Sequence, residues 1–337
     1  MGSTPAGPTK YLKGLTEKSG PFSMGVTKLT ALKLRSRFAY IQSMNRRDTF
    51  YKYMSQDTGR IVLKNQTLRW STPGTLNDPY DIQFDLSLNI NREAVKAATL
   101  QKMWEAYCCQ PVSVGNAVGA LMLLISQHCA GWSRERFEKE FESTIAESFA
   151  RGEAVLPAVN AEVRAMMANS KILCLTTEPD NTLMWTHYAE AHQGMVLRFR
   201  TIPELDSPYS IACPIQYLEN MPVLMDDDFL SDMLSGRVSL DPKSIMSRLV
   251  YTKSSDWAYE HEWRIFSGAG RNPDAPHEDC RFGARELDAV IFGCRTSDAD
   301  RIEIAALVRD RYPHASLLQA RKKMNAFQLE IEPLTDI

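Results

Sequence analysis

The chain has 337 residues, of which 44% are hydrophobic and 24% charged, and its formal net charge is −2 with a pI near 6.3. These values are typical of a globular protein with a sizeable core, and the near balance of charge gives no support for strong non-specific binding to DNA. The longest apolar run, at 120–125, is far shorter than the roughly 20 residues of a bilayer span, so we expect a cytoplasmic protein without a membrane partner.

Residues 1–30 are rich in Gly, Pro, Ser, Thr and Lys, and we expect them to form a flexible leader. We expect residues 31–337 to form a single α+β domain. F-Y-K-Y-M at 50–54 is predicted as a strand or a short helix, and a turn follows near Asn65. Alternating polar and apolar residues predict further strands, which lie at 67–70, 82–89, 171–177, 195–200, 210–217, 262–266, 288–293 and 327–334.

Between these strands the period changes to that of helices. Residues 92–169 contain few breakers and predict a helical insertion of three or four helices. A helix over 178–194 would be capped by Asp180 or Asn181 and ended by Gly194. Further helical segments are predicted at 224–250 and 297–310.

These elements predict an α+β fold, with a mixed or antiparallel split sheet and one helical insertion. Neither G-x-G-x-x-G after a strand nor G-x-x-x-x-G-K-[ST] occurs, so Rossmann and P-loop folds are weakly supported. The seven cysteines show no regular spacing, and we expect neither a disulfide framework nor a bound metal.

Three segments carry unusual polar residues. In L-N-D-P-Y-D at 76–81, Asn77, Asp78 and Asp81 surround a proline that blocks helix formation. The segment is either a structural turn or a polar loop that faces a ligand.

The second segment is L-M-W-T-H-Y-A-E-A-H at 183–192. Trp185 and Tyr188 are candidates for buried aromatics whose N–H and O–H groups need partners. His187 is a candidate catalytic residue, although a lone histidine on such a helix is more often a packing residue.

The third segment is S-S-D-W-A-Y-E-H-E-W-R-I-F at 254–266. If 260–265 is extended, Glu260, Glu262 and Arg264 share one face, while His261, Trp263 and Ile265 share the other. An exposed ion pair would be ordinary, but charges among bulky aromatics require a partner or a ligand.

Together these motifs resemble a widespread bacterial domain family of unknown function. N-D-P-Y-D, M-W-x-H-Y-A and W-A-Y-E-x-E-W-R carry the resemblance, which spans about residues 50–300. Some members of that family lie near mobile elements and defence genes, which implies a toxin or phage-defence effector.

Glu260-His261-Glu262 is also similar to the Glu-x-Glu of one class of ADP-ribosyltransferase folds, which clamp NAD in a cleft. That resemblance implies that Glu262 contacts the nicotinamide ribose and that Glu260 positions the acceptor, which would be a protein or a nucleic acid. A carboxylate would stabilise the oxocarbenium-like state in which the glycosidic bond breaks. The remaining candidate binding residues are, for stacking, Tyr53, Trp185 and Tyr188, and for other contacts Lys52, Trp70, Asn77, Asp78 and Arg264.

Two departures from the pattern are visible. Lys52 stands where that class has a first-strand arginine, and Trp70-Ser71-Thr72 only approximates its Ser-Thr-Ser strand. Two alternatives therefore stay open. One is a metal-dependent nuclease that uses Asp78, Asp81, His187 and the two glutamates. The other is a non-catalytic sensor or interaction module.

Overall fold

The computed structural model describes residues 47–83, 90–109, 114–129, 131–223, 226–239 and 248–335. The predicted leader at 1–30 lies outside these residues, as does most of the predicted strand at 82–89. Residues 224–225 and 240–247 of the predicted helical segment at 224–250 lie outside them as well.

Twelve strands and seven α-helices are assigned in the described residues. The strands are β1 (Thr49–Met54), β2 (Thr67–Ser71), β3 (Ile172–Thr176), β4 (Met195–Arg200), β5 (Cys213–Pro214), β6 (Gln216–Leu218), β7 (Thr252–Ser254), β8 (Glu262–Phe266), β9 (His277–Arg281), β10 (Leu287–Phe292), β11 (Ser316–Lys322) and β12 (Leu329–Pro333). The helices are α1 (Gln56–Asn65), α2 (Arg92–Cys109), α3 (Ala117–His128), α4 (Arg134–Ala168), α5 (Thr182–Tyr188), α6 (Asp227–Leu234) and α7 (Asp298–Arg311).

Ten of these strands form one mixed sheet that is mostly antiparallel. Its order is β12-β11-β10-β4-β1-β3-β2-β9, with β8 paired to β3 and β5 paired to β8. In the described part of the chain β10 and β11 run parallel, while the other pairs of this sheet are antiparallel. The predicted α+β class with a mixed sheet is therefore confirmed.

Alternation along the strands places apolar side chains on both faces of the sheet. In β4, Leu197 and Phe199 belong to the larger core cluster, whereas Val196 belongs to a second cluster. The larger cluster also includes apolar residues of α1 and α7, and the second includes Met184 and Trp185 of α5. Met195, Val196 and Leu197 are all fully buried, so the first half of β4 is apolar on both faces of the sheet.

The described chain divides into two compact units. The first contains the described residues up to Asp81, Met166–Glu219 and the described residues from Lys253 onward. The second contains the described residues of Ile82–Ala165 and Asn220–Thr252. The helical unit thus includes a later segment that the sequence analysis did not join to it, and the single-domain organisation stays a prediction.

The helical unit has its own core. Met103, Tyr107, Met122, Phe137 and Phe141 of α2, α3 and α4 pack together in one cluster. The sequence predicted three or four helices within 92–169, and the described residues of that range form three, which are α2, α3 and α4.

Several elements differ from the sequence prediction. The helix predicted over 178–194 ends at Tyr188, because the backbone of residues 190–192 is left-handed. The strand predicted over 210–217 is interrupted, since Pro208 begins a 3-10 helix and Pro214 lacks an N–H for pairing. β7, β9 and β11 were not predicted.

Gly194 provides a test of this packing, because its backbone lies close to β1. A Cβ atom at Gly194 would lie 2.2 Å from the carbonyl oxygen of Met54, whereas one at Gly74 would meet nothing within 4 Å. We expect Gly194→Ala to lower the free energy of unfolding by about 1–3 kcal/mol. Gly74→Ala, the matched control, should change it by no more than about 0.5 kcal/mol in urea denaturation. Equal effects of the two substitutions would contradict the close approach.

Candidate functional site

A cavity of about 270 Å³ is lined mainly by side chains of β1, β2 and β3 that alternate along the strands with residues of the larger core cluster. Arg69 and Ser71 of β2 alternate with the core residues Leu68 and Trp70, so their side chains point to the cavity face. The lining residues are Tyr51, Lys52, Tyr53, Arg69, Ser71, Thr75, Leu76, Asn77, Asp81, Ile172, Cys174, Leu175, Thr176, Met184, Tyr188, Lys253, Glu260 and Glu262.

The backbone around Glu260 explains how its carboxylate reaches the cavity. Glu260 ends a 3-10 helix over Ser255–Glu260, and His261 is left-handed with φ of 44°. The main-chain carbonyl of Glu260 accepts a hydrogen bond from the hydroxyl of Thr176 at 2.7 Å. The predicted shared face therefore holds for Glu262 and Arg264 but not for Glu260. His261 is exposed and does not share a core face with Trp263 and Ile265.

Arg264 is the centre of a buried ion cluster. Its side chain is 0% exposed, and its guanidinium donates to both oxygens of Asp81, at 2.7 and 2.5 Å. The same guanidinium donates to both oxygens of Glu262, at 2.6 and 3.0 Å. Two-point contacts of this kind fix both carboxylates in orientation as well as in position.

Lys253 extends the cluster towards Glu260. Its ammonium lies 2.5 Å from an oxygen of Glu260 and 3.1 Å from an oxygen of Glu262. It also lies 3.7 Å from Asp81 and 4.9 Å from the centre of the Trp257 ring. An ammonium placed among these groups is stabilised by charge and by the aromatic face.

The second oxygen of Glu260 is bonded to a residue of α5. The Tyr188 hydroxyl donates to Glu260 at 2.5 Å and accepts a hydrogen bond from the Asn77 side-chain amide at 2.8 Å. The loop at 76–81 (the asparagine loop), α5 and the segment at 254–266 (the acidic segment) therefore meet in one hydrogen-bonded chain. α5 is held in place by its cap, since Asn181 accepts from two N–H groups of the helix and donates to the carbonyl of Tyr259.

The environment shifts the pKa values of the two glutamates in opposite directions. Burial acts to raise the pKa of Glu262, but Arg264 and Lys253 outweigh it and hold that pKa well below its usual range. Burial raises the pKa of Glu260, and Lys253 only partly opposes it. Burial lowers the pKa of Lys253, but Glu262 and Glu260 outweigh it, so this ammonium stays charged. Glu262 is thus fixed as a carboxylate, whereas Glu260 keeps a proton to a higher pH than a free glutamate.

Of the predicted site residues, six line the cavity and five do not. Those that line it are Lys52, Tyr53, Asn77, Tyr188, Glu260 and Glu262. Trp70 is buried in the larger core cluster, and Trp185 is buried with its indole N–H bonded to the carbonyl of Pro179. Asp78 is buried and accepts from the N–H of Tyr80. His187 is exposed against Tyr259, and Arg264 lies behind the carboxylates that it pairs.

The sequence analysis missed Lys253, Tyr51 and Arg69. Lys253 lies in the short strand β7, where no sequence pattern marked it. Tyr51 and Tyr53 are two residues apart in β1, and that spacing alone indicated a shared face. Arg69 pairs with Asp279 of β9, a strand that was not predicted.

In the part of the chain that the structure describes, no group of three or more His, Cys, Asp or Glu residues is arranged to hold a metal ion. Among the same residues, no helix is long and apolar enough to cross a bilayer.

Comparison with known proteins gives one match. Residues 184–265 match a family described as "Protein of unknown function (DUF2971)", so a domain of this family is found there. The matched segment contains most of α5 and the acidic segment up to β8, but not the asparagine loop. No curated protein and no solved structure matches the chain significantly.

The buried cluster can be tested by removing its central cation. We expect Arg264→Met to lower the free energy of unfolding by about 3–5 kcal/mol, because Asp81 and Glu262 would stay buried without their main partner. Arg321→Met, which removes the exposed pair with Glu332, should cost no more than about 1 kcal/mol. Comparable losses in the two variants, measured by thermal or urea denaturation, would show that the cluster contributes little to stability.

Proposed function

We propose that this protein is a NAD-consuming, ADP-ribosyltransferase-like enzyme, which transfers ADP-ribose or hydrolyses the bond between nicotinamide and ribose. The observation that carries the proposal is the chain Asn77–Tyr188–Glu260, which brings three distant segments together beside an aromatic-lined cavity. Convergent polar groups with shifted pKa values in a cleft favour a functional site.

The lining suits different parts of a nucleotide. Tyr51, Tyr53 and Tyr188 supply aromatic rings against which a pyridine ring can pack. Lys52 and Arg69 lie in the same lining and could bind phosphate oxygens. The volume of about 270 Å³ lies just below the usual range for small-molecule sites, so it suits a nucleoside-sized part of NAD.

Glu260 is the better candidate for the catalytic carboxylate. Glu262 has both oxygens bonded to Arg264, and one of them is also bonded to Lys253, which leaves it a positioning role. Glu260 has one cationic partner and one neutral hydroxyl partner, and that hydroxyl belongs to a cavity residue. This assignment reverses the roles that the Glu-x-Glu resemblance implied for the two residues.

In the proposed reaction the bond between the anomeric carbon and the pyridinium nitrogen breaks. The bonding electrons leave with nicotinamide, and the carboxylate of Glu260 stabilises the positive charge that develops on the ribose. Water or an acceptor hydroxyl then forms the new bond to the anomeric carbon and gives its proton to Glu260. Tyr188, held by Asn77, orients the carboxylate during these steps.

The alternatives use the same residues differently. A metal-dependent nuclease would need free carboxylates, but Asp81 and Glu262 are each held by Arg264, and His187 does not line the cavity. A non-catalytic sensor would use the cavity without breaking a bond, and the complete pairing of Glu262 favours a structural role for that half of the cluster. At the cellular level we propose a cytoplasmic toxin or phage-defence effector, whose acceptor is a protein or a nucleic acid.

Release of nicotinamide from millimolar NAD, followed by chromatography, tests the reaction. We expect the wild-type protein to release nicotinamide and Glu260→Gln to reduce the rate roughly 100-fold or more, because the variant cannot accept a proton or carry the charge. Tyr188→Phe, which keeps the ring but removes the donor to Glu260, should give a smaller loss.

Glu204→Gln is the matched control, because it makes the same chemical change at an exposed position outside the cavity lining, and it should keep full activity. Thermal denaturation of each variant separates loss of activity from loss of the fold. If the wild-type protein neither binds NAD nor releases nicotinamide, the proposed reaction is wrong.

A further inference from the structure

The buried cluster carries unequal numbers of opposite charges. Its acidic members are Asp81, Glu260 and Glu262, and its basic members are Lys253 and Arg264, so there are three carboxylates and two cations. The five side chains are between 0% and 5% exposed. Since solvent cannot screen a charge at this depth, the extra negative charge requires compensation.

The other cations that line the cavity do not pair with these carboxylates among the described residues. The Lys52 ammonium donates to the carbonyl oxygen of Cys174 at 2.8 Å. The Arg69 guanidinium is paired with Asp279, whose charge it balances. The extra charge therefore has to be met from the cavity or by a proton.

Glu260 is the carboxylate on which the extra charge is least compensated. Asp81 and Glu262 each receive a two-point contact from Arg264, whereas Glu260 has Lys253 as its one cationic partner. The remaining partner of its carboxylate is the neutral hydroxyl of Tyr188. Titratable and charged groups that act on Glu260, or on which it acts, lie on several elements: Lys253 on β7, Glu262 on β8, Tyr188 on α5, Tyr217 on β6 and Tyr259 in the 3-10 helix.

We propose that the cavity selects a flat ring with one delocalised positive charge beside Glu260, and that in the free protein a proton on Glu260 occupies the place of that charge. Binding of such a ring then releases the proton. Burial raises the pKa of Glu260 and also that of Asp81. The choice of Glu260 therefore rests on its partners, which are one cation and one neutral hydroxyl of a cavity residue. The inference rests on the proposed function for its choice of cavity, and it defines the ligand as a pyridinium and not a neutral ring.

Two small probes of the same shape distinguish the effect of the ring's charge on affinity from the effect of its shape. 1-Methylnicotinamide carries a positive ring, and 3-methylbenzamide is its neutral carbon counterpart. We expect the wild-type protein to bind the cation at least about tenfold more tightly, measured by calorimetry. Equal affinities, or binding of neither probe, would overturn the proposal.

Proton release gives a second measurement that needs no variant. Calorimetry in buffers of different ionisation enthalpy, from about pH 5 to pH 8, reports the protons released on binding. Because the pKa of Glu260 is raised, a larger fraction of this carboxyl than of a free glutamate carries a proton at low pH. The cation should therefore release more protons at the low end and bind more tightly as the pH rises. The neutral probe should release none, and a pH-independent preference without proton release would contradict the exchange.

Glu260→Gln removes the extra negative charge and should abolish the preference for the cation while leaving the affinity for 3-methylbenzamide unchanged. Glu204→Gln should keep the preference. These binding measurements do not depend on whether the protein cleaves NAD. If the protein prefers the cation but does not cleave NAD, only the proposed reaction is contradicted. If the protein cleaves NAD but binds both probes equally, only the inference about the charged ring is contradicted.

Discussion

The pairing of Arg264 with two carboxylates is the interaction on which the architecture of the site depends. A fully buried guanidinium is tolerated only when its donors are satisfied, and Asp81 and Glu262 each accept from it at two points. Asp81 lies 183 residues earlier in the chain than Arg264. The pair therefore fixes the end of the asparagine loop against β8, and with it the position of Asn77 at the cavity.

The cluster has two parts with different physical roles. Around Arg264, two-point contacts hold Asp81 and Glu262 in fixed orientations, which favours a positioning role. Glu260 shares its one cationic partner, Lys253, with Glu262. Its other partner is the hydroxyl of Tyr188, which lies in the cavity lining. Such a division holds a reactive carboxyl in a defined orientation while leaving its protonation state free to change. A shift of charge at Glu260 can then accompany binding without disturbing the fold.

The family match and the cavity agree in their position along the chain. The matched segment, 184–265, supplies Tyr188, Lys253, Glu260 and Glu262 to the cavity. Residues of β1, β2, β3 and the asparagine loop complete it from outside that segment. The family description gives no reaction, so the functional proposal depends on the chemistry of these side chains. Both proposals follow from the same carboxyl but are tested by different measurements.

The sequence by itself determined the α+β class, most elements of the sheet and the shared strand face of Glu262 and Arg264, because these depend on local periodicity. It also marked the three segments that meet at the site. Only the tertiary structure decided that Tyr188 and not His187 faces Glu260, that Trp70 and Trp185 are core residues, and that Lys253 joins the cluster. Those outcomes depend on the rotation of a short helix and on contacts between distant segments, which no local spacing encodes.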